Sequence, residues 1–334
     1  MANAVMANPS TAMRLNDRGL AIADAVAGAL DEHRAKMYTL ESGSRVIDLG
    51  IDAPGGLGAG LALAGICMGG LGHINFQQLT IGGESYQGVE VWTDIPDVAC
   101  MASQYAGWAI KVDKFFAMGS GPIRSLCRVE TELFRKLGYE ETSTKGIIVL
   151  ETRAHPTDAV ATWIASRSRV APGDLTIVVA PTASAAGGVQ IVARVLETGM
   201  HKLDAIGFDI TRVMSAIGSA PVPPTAKDDL RAIGRTNDCI LYGGEARFVV
   251  DAPDDTLQML AAKLPASASS DYGTPFIETF RRYNGDFYKI DPQLFSPAEV
   301  WLTSATTGET FHGGHLNPEV LRNSLYGQPG VTQS

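Results

Sequence analysis

The sequence lacks an excess of basic residues: 27 lysines and arginines face 36 aspartates and glutamates, which gives a formal net charge of -9. It also contains no long run of lysine and arginine. Proteins held to nucleic acid or to anionic membranes neutralise phosphates with clustered basic side chains. We therefore expect no nucleic acid and no membrane surface among its partners.

Long hydrophobic segments are missing as well. The most apolar stretch, residues 55–72, is interrupted by eight glycines, whereas a membrane-spanning helix needs about 20 predominantly apolar residues. Residues 1–12 are rich in alanine, asparagine and serine and have neither the basic nor the apolar region of a secretory signal. These features predict a cytoplasmic protein in which residues 1–12 form a frayed tail.

Sequence motifs for metals, nucleotides and covalent catalysis are also absent. The four cysteines contain no CxxC, and the only close histidine pair, His312 and His315, lies in a glycine-rich stretch without further ligands. No GxxxxGK[ST], GxGxxG or GxSxG pattern occurs. We therefore expect no metal or cofactor, and an enzyme with this sequence would depend on carboxylates, arginines and water.

The residues that are present describe a folded α/β protein. Apolar residues make up 45% of the 334 positions and charged residues 19%, a composition typical of globular chains. Runs with strand and helix periodicity alternate along the whole length, which predicts an α/β (α+β layered) fold. The length favours two mixed α/β domains with a substrate cleft between them. We assign residues 13–100 plus 245–325 to the first domain and residues 101–244 to the second.

Local patterns predict several individual elements. Buried strands are expected over 146–151 and 175–180, and helices over 157–166 and 125–137, the latter ending at Gly138. A single helix is predicted over 187–198, a hairpin over 239–251 and a last strand over 287–290.

The helix predicted over 187–198 contains the most informative charged pair. Arg194 and Glu197 are three residues apart, so their side chains lie on one face of a helix and can touch. Most such pairs are solvated surface ion pairs. Apolar neighbours surround this pair, however, and buried charges are costly and are often retained at functional sites. From the residues alone, both interpretations stay open.

Glycine-rich and polar loops offer further candidates. The patterns Gly-Ser-Gly-Pro at 119–122 and Gly-Ser-Ala-Pro at 218–221 expose backbone N–H groups beside a hydroxyl, which suits anion recognition. Polar clusters at 103–105, 234–238 and 267–272 could bind the amide-like edge of a heterocycle. All five segments could equally be ordinary turns.

Five segments, in order and at family-like spacing, resemble the methenyltetrahydromethanopterin cyclohydrolase family, and the resemblance extends over about residues 14–325. They are ASQYAGW at 102–108, FFAMGSGP at 115–122, VARVLE at 192–197, GRTND at 234–238 and NGDFYKID at 284–291.

The resemblance implies a cytosolic enzyme of one-carbon metabolism, in formaldehyde oxidation, that reversibly hydrolyses 5,10-methenyltetrahydromethanopterin to the 5-formyl derivative. It also implies two α/β domains with the pterin between them, no metal or prosthetic group, and a homo-oligomer, a trimer in the archaeal members. The family's catalytic Arg-x-x-Glu falls on Arg194 and Glu197. Composition favours the bacterial, methylotroph type.

With this substrate, Glu197 is expected to act as general base toward water and Arg194 to orient it. Arg194 lowers the carboxyl pKa and burial raises it, and the sequence does not decide which effect is larger. We expect polar residues of the family-like loops to contact the pterin. We expect a nearby positively charged side chain to contact the anionic tail of the substrate. The candidates are Gln104, Tyr105, Ser120, Arg235, Asn237, Asp238, Ser270 and Asp271 for the pterin, and Lys114 or Arg124 for the tail. Two alternatives remain: a transferase that holds a phosphorylated ligand on the Gly-Ser loops, or a non-enzymatic binding protein.

Overall fold

Strands and helices alternate throughout the computed structural model, which describes residues 13–286 and 289–327. The strands are β1 (Lys36–Thr39), β2 (Arg45–Asp48), β3 (His73–Ile81), β4 (Glu84–Thr93), β5 (Trp108–Val112), β6 (Phe115–Ser120), β7 (Gly146–Glu151), β8 (Leu175–Ala180), β9 (Val213–Pro221), β10 (Glu245–Val250), β11 (Glu299–Ser304) and β12 (Thr310–Gly314). The predicted tail over 1–12 and positions 287–288 of the predicted last strand lie outside the described residues.

The helices between these strands are mostly short. They are α1 (Leu15–Gly28), α2 (Leu30–His33), α3 (Leu57–Cys67), α4 (Arg124–Cys127), α5 (Thr131–Leu137), α6 (Asp158–Ser168), α7 (Ala185–Val192), α8 (Val195–Ala205), α9 (Asp229–Gly243), α10 (Asp254–Lys263), α11 (Phe276–Arg282) and α12 (Pro318–Tyr326), with a π-helix at Asp97–Gln104. None of the helices in the described ranges is long and apolar enough to cross a membrane.

The first sheet has the strand order β1-β2-β8-β7-β6-β5 and is covered on both faces. Its three central strands, β2, β8 and β7, are mutually parallel, and the outer strands pair antiparallel. Every residue of β8 is buried, as its continuous apolar run predicts for a strand inside such a sheet. Helices α1, α3 and α7 contribute Ala23, Leu63 and Ala186 to the core on one face, and α6 contributes Val160 and Ile164 on the other.

The second sheet has the order β12-β11-β10-β9-β4-β3 and is covered on one face only. Strands β10 and β11 are parallel and all the other pairs are antiparallel. Side chains alternate along β10 and β11, so that Phe248, Val300 and Leu302 enter the core while their neighbours face outward. Helices α8, α9 and α10 pack against the covered face.

Two mixed sheets layered with helices confirm the predicted α/β class. The predicted boundaries between domains, however, do not separate the two sheets. Strand β2, assigned to the first domain, pairs with β8, and β9, assigned to the second, pairs with β4 and β10. Neighbouring strands can be distant in sequence, so a boundary drawn by position along the chain does not follow their pairing.

Several predicted elements form as expected. Strands β7 and β8 match their predicted ranges, and the N-cap residue of α6, Thr157, accepts a hydrogen bond from the Val160 amide. Gly138 ends α5 in the left-handed conformation. The helical segment predicted over 125–137 is divided into α4 and α5.

Three predictions were wrong in detail. Residues 239–242, predicted as a strand of a hairpin, are the last turn of α9, because a short apolar run fits either structure. Gly218 and Ser219, predicted in a loop, lie inside β9, where the backbone of residues 218–221 is paired with neighbouring strands. The single helix predicted over 187–198 is two helices, α7 and α8, and α8 continues past Gly199 to Ala205.

Candidate active site

The junction between α7 and α8 positions the predicted charged pair. Helix α7 packs on α3, in a helical layer of the first sheet, whereas α8 packs on β9 and β10 of the second. The Ala193 carbonyl at the junction accepts a hydrogen bond of 3.1 Å from the Gln104 side-chain amide. Arg194 therefore lies where the chain passes from a helix of the first sheet to a helix of the second sheet. Glu197 lies in the first turn of α8.

Arg194 is buried and its guanidinium is held on three sides. The Nε atom donates to Gln190 Oε1 at 2.7 Å, Nη1 donates to the Gln104 backbone carbonyl, and Nη2 donates to Ser120 Oγ at 3.1 Å. Cys67 Sγ lies 4.0 Å from Nη2 and 3.6 Å from Ser120 Oγ. These contacts fix both the plane and the direction of the guanidinium fork.

Glu197 is also buried, with 5% of its surface exposed, and its Oε2 lies 3.8 Å from Arg194 Nη1. Burial raises the pKa of the Glu197 carboxyl, and the positive charges of Arg194, His201 and Arg124 offset this effect only in part. The structure thus answers the question that the sequence left open, because burial outweighs the nearby arginine. A buried carboxyl with a raised pKa is a typical general base.

The C-terminal end of the π-helix forms one wall of the site. Gln104 is fully buried, and its Oε1 has no hydrogen-bond partner among the described residues. Buried acceptors are nearly always satisfied, so this oxygen is a candidate contact for a ligand or a water. Tyr105 follows directly, and its ring stacks on that of His201 with 4.9 Å between centroids. Burial raises the pKa of the Tyr105 hydroxyl, and Glu197 adds to this effect.

Arg124 lies behind this wall and is completely buried. Its Nη1 donates to the carbonyls of Met101 at 2.9 Å and Ser103 at 3.3 Å, and its Nη2 pairs with Glu130 Oε2 at 2.9 Å. The guanidinium also lies 5.0 Å from the centre of the Tyr105 ring. Arg124 therefore holds the end of the π-helix in place, and its nomination as a contact for the anionic tail stays a prediction.

The other predicted contacts lie away from the pair. Lys114 is exposed in the turn before β6, at the opposite end of that strand from Ser120. Arg235 and Asn237 lie on α9, where they donate to the carbonyls of Pro224 and Ile233.

Asp238, Ser270 and Asp271 take part in internal networks instead. Asp238 is fully buried, accepts from the Phe276 amide and the Ser324 hydroxyl, and its pKa is raised by burial to about 7. Asp271 Oδ2 accepts from the Asp291 amide at 2.9 Å, and the Ser270 amide donates to the Asp291 carboxylate at 3.2 Å. None of these three is brought to Arg194, although each nomination as a pterin contact stays a prediction.

Sequence reasoning missed three residues of the site: Cys67, Gln190 and His201. Gln190 precedes Arg194 by four residues and His201 follows Glu197 by four, so helical spacing applied to each charged residue would have found both. Cys67 ends α3 within a glycine- and alanine-rich run that carries no motif.

A small concavity of about 40 Å³ lies at the far end of α7 from Arg194, roughly 12 Å away along the helix at 1.5 Å per residue. It opens beside the carboxyl ends of the parallel strands β7 and β8, whose following helices α6 and α7 pack on opposite faces of the first sheet. Ligands commonly bind α/β sheets at such a point. Its lining includes Thr182, Ser184, Thr225 and Thr236.

Asp48, Asp52 and His155 bring three metal-ligating atoms within 4.8 Å of one another. The Asp48 carboxylate, however, accepts hydrogen bonds from four backbone amides, those of residues 50–53. His155 Nδ1 is bonded to the Tyr38 hydroxyl and Nε2 to Asp52. These hydrogen bonds hold the loop after β2 in place, and this role explains why the three side chains lie close together.

Comparisons with known proteins identify close relatives. A family model described as Cyclohydrolase (MCH) matches residues 14–325. A protein of Methylobacillus flagellatus is 46% identical over 292 residues, which cover 87% of this chain and 89% of the relative. A protein of Methylobacterium organophilum is 44% identical over 296 residues (87% and 91%), and one of Methanococcoides burtonii is 39% identical over 312 residues (93% and 98%). All three relatives are named methenyltetrahydromethanopterin cyclohydrolase.

Proposed function

The chain belongs to the methenyltetrahydromethanopterin cyclohydrolase family, and on this premise we propose that it catalyses the reversible hydrolysis of 5,10-methenyltetrahydromethanopterin to 5-formyltetrahydromethanopterin. The enzyme is a hydrolase that acts on a cyclic amidine C–N bond. We propose its setting as cytoplasmic one-carbon metabolism, in formaldehyde oxidation.

The substrate's methenyl carbon is part of an amidinium cation and is already electrophilic. Hydrolysis requires that a water be positioned against this carbon, that it lose a proton, and that one C–N bond then break. We propose that these reaction steps need neither a metal nor a prosthetic group, because the substrate supplies the electrophile. The protein then has only to supply a base and fixed dipoles.

Glu197 is the proposed general base. Its carboxylate accepts the proton of the attacking water, and its negative charge stabilises the neighbouring cation in a buried site where screening is weak. Once the tetrahedral carbon has formed, the same carboxyl returns the proton to the departing nitrogen. As that C–N bond breaks, the hydroxyl on the carbon loses its own proton to solvent and becomes the formyl C=O. The observation that carries this role is that burial raises the pKa of Glu197 despite an arginine 3.8 Å away.

Arg194 is the proposed orienting residue. Its fork is fixed by Gln190, Ser120 and the Gln104 carbonyl, so Nη1 faces Glu197 in one direction only. A guanidinium held this way sets the angle of the carboxylate and offers a donor to the water's oxygen.

Residues around the pair supply the proposed pterin contacts. The unpartnered Gln104 Oε1 suits an N–H of the heterocycle, and the Tyr105 ring offers an aromatic surface. We retain Ser120 as a contact through its hydroxyl. Arg235, which bonds to Pro224 on the rim of the concavity, is the proposed partner for a more distant polar part of the ligand.

The second Gly-Ser segment weakens the transferase alternative, because its backbone is engaged in β9. A decisive experiment adds the purified protein to methenyltetrahydromethanopterin and follows the loss of the methenyl chromophore, with the tetrahydrofolate analogue as the parallel substrate. We expect rapid loss with the methanopterin derivative. No loss above the uncatalysed rate, together with binding of a nucleotide or sugar phosphate in a thermal-shift screen, would instead support the transferase.

A further inference from the structure

Hydrolysis of an amidinium cation releases a proton, and the proposed site is buried. The substrate cation carries one positive charge at the reacting centre and the formyl product carries none there, so each turnover releases one proton of the attacking water. The water's first proton passes through Glu197 to the departing nitrogen, and its second leaves the carbon-bound hydroxyl as the C=O bond forms. Glu197 is only 5% exposed, so this second proton needs a route to solvent. The requirement rests on the proposed function.

Helix α8 carries a row of titratable side chains from the site towards the surface. Glu197, His201 and Asp204 follow one another at spacings of four and three residues, so they lie on one face of the helix. Glu197 is buried, the His201 ring is half-buried, and Asp204 pairs with exposed Lys136 at 2.6 Å. Burial raises the pKa of the Glu197 carboxyl, and Arg194 and His201 lower it. His201 is therefore within electrostatic reach of the base and is the first group along this row that reaches solvent.

The His201 ring is held in place while its two nitrogens stay free. The ring stacks on that of Tyr105, with 4.9 Å between centroids and 20° between the ring planes. Neither ring nitrogen hydrogen-bonds to another group within the described residues. His155 and His312, by contrast, each bind a carboxylate through Nε2. The stack thus fixes the His201 ring beside the site and leaves its nitrogens able to accept and donate protons.

The charged groups beside this stack are already paired. Arg124 lies 5.0 Å from the centre of the ring on which His201 stacks, and it pairs with Glu130 at 2.9 Å. Asp204, one turn beyond His201, is engaged by Lys136. Because these neighbours neutralise one another, none of them holds the imidazole in a single protonation state.

Other polar groups around the base carry protons poorly. An arginine such as Arg194 keeps its proton. Burial raises the pKa of the Cys67 thiol and of the Tyr105 hydroxyl, so both hold their protons at neutral pH. An imidazole gains and loses a proton near neutral pH, which suits it to shuttle protons.

We propose that His201 carries the second proton from Glu197 to solvent. The Glu197 carboxylate, free again after protonating the departing nitrogen, accepts the proton of the carbon-bound hydroxyl. A free ring nitrogen of His201 takes this proton from the carboxyl, and the imidazolium releases it to water. In the direction of cyclisation, the imidazolium returns a proton to Glu197 along the same route.

Buffer rescue tests this proposal in the full chain. With saturating methenyltetrahydromethanopterin in weakly buffered solution near neutral pH, kcat should fall roughly 10-fold in His201→Phe and in His201→Ala, since water replaces only part of the route. Phenylalanine keeps the stack on Tyr105, so its KM should stay near that of the wild type. Alanine leaves a half-exposed space that free imidazole can enter, and added imidazole should restore most of the lost rate. A residue that only packed against Tyr105 would give no such rescue.

His155→Ala is the matched control, because His155 is also half-buried but is bonded to Tyr38 and Asp52. It should keep the wild-type kcat and show no response to imidazole. Full turnover by both His201 variants beside an active wild type, or a loss in His201→Ala that imidazole does not restore, would overturn the proton route alone. An inactive wild-type protein would instead contradict the proposed hydrolysis itself.

Discussion

Individual side chains determine the chemistry of the site, and burial has the largest effect on the pKa of the Glu197 carboxyl. An exposed Arg-x-x-Glu pair keeps its carboxylate ionised and weakly basic. Here the apolar surroundings disfavour the charged carboxylate, and the basic groups around it offset only part of that effect. The same three-residue spacing therefore gives a solvated ion pair where the residues are exposed and, where they are buried as here, a carboxyl whose pKa is raised.

The geometry of the Arg194 fork can be tested by Arg194→Lys. Lysine keeps the charge, but its single ammonium cannot bond to Gln190, Ser120 and the Gln104 carbonyl in one plane. We expect turnover to fall on the order of 10²-fold in steady-state assays. Arg135→Lys, an exposed helix residue paired with Glu132, is the control and should be neutral. Equal turnover of the Arg194→Lys and wild-type enzymes would show that only a positive charge is needed.

His201 affects the pKa of Glu197 and should therefore affect the pH dependence of the reaction. The groups whose charges lower this pKa are Arg194, His201 and Arg124. Replacing His201 with glutamine removes one of them, so the pKa of Glu197 should rise and the acid limb of the pH–kcat profile should move to higher pH. His155→Gln, which lies in the loop network with Asp52, should leave the profile unchanged. A shift in the opposite direction would contradict the assigned electrostatics.

At the scale of helices and strands, the site depends on a break that periodicity does not show. Val189, Val192, Val195 and Leu196 maintain a helical apolar pattern across the junction, so the sequence predicts one helix. The structure has two, and the Ala193 carbonyl at the junction bonds to Gln104, which is 89 residues away in sequence. A long-range contact of this kind has no local signature, and the same limit explains why the pairing of β2 with β8 was not predicted.

Asp238 joins three helices, because it lies on α9 and accepts from the first amide of α11 and from Ser324 on α12. Its folded-state pKa of about 7 lies above the ordinary value of 3.8. The folded protein thus binds this proton more tightly than the unfolded chain, and the group's contribution to stability is lost as the pH rises from about 4 to about 7.

Asp238→Asn should therefore flatten the pH dependence of stability. Between pH 5 and pH 8, the free energy of unfolding should decrease by roughly 2–3 kcal/mol less in the variant than in the wild type, at about 1.4 kcal/mol per pKa unit. Urea titrations at the two pH values measure this difference. The exposed Asp255→Asn is the control, and an identical pH dependence in the Asp238→Asn and wild-type proteins would exclude the raised pKa.

On the scale of the whole molecule, the sequence was sufficient for the class of fold and the family. It also predicted that Arg194 and Glu197 lie close together, while their catalytic roles remain a proposal. The class of fold follows from the alternation of segments with strand and helix periodicity. The family follows from five segments that occur in the family's order and at its spacing. The placement of polar residues was less predictable, because composition does not distinguish a loop that meets a ligand from one that caps a helix. Asp238 and Arg124 show this most clearly, since both were predicted to contact the ligand and both form hydrogen bonds in the protein interior.

The central claim is that the buried Glu197 carboxylate is the base, and Glu197→Gln tests it most directly. Glutamine keeps the shape of the side chain but cannot accept the proton, so the initial rate of methenyl chromophore loss at saturating substrate should fall roughly 10²–10⁴-fold. Binding of the methenyl substrate should survive, and Asp204→Asn, an acidic residue at the other end of α8, should retain the wild-type rate. Near-normal turnover by a folded Glu197→Gln enzyme would contradict the account.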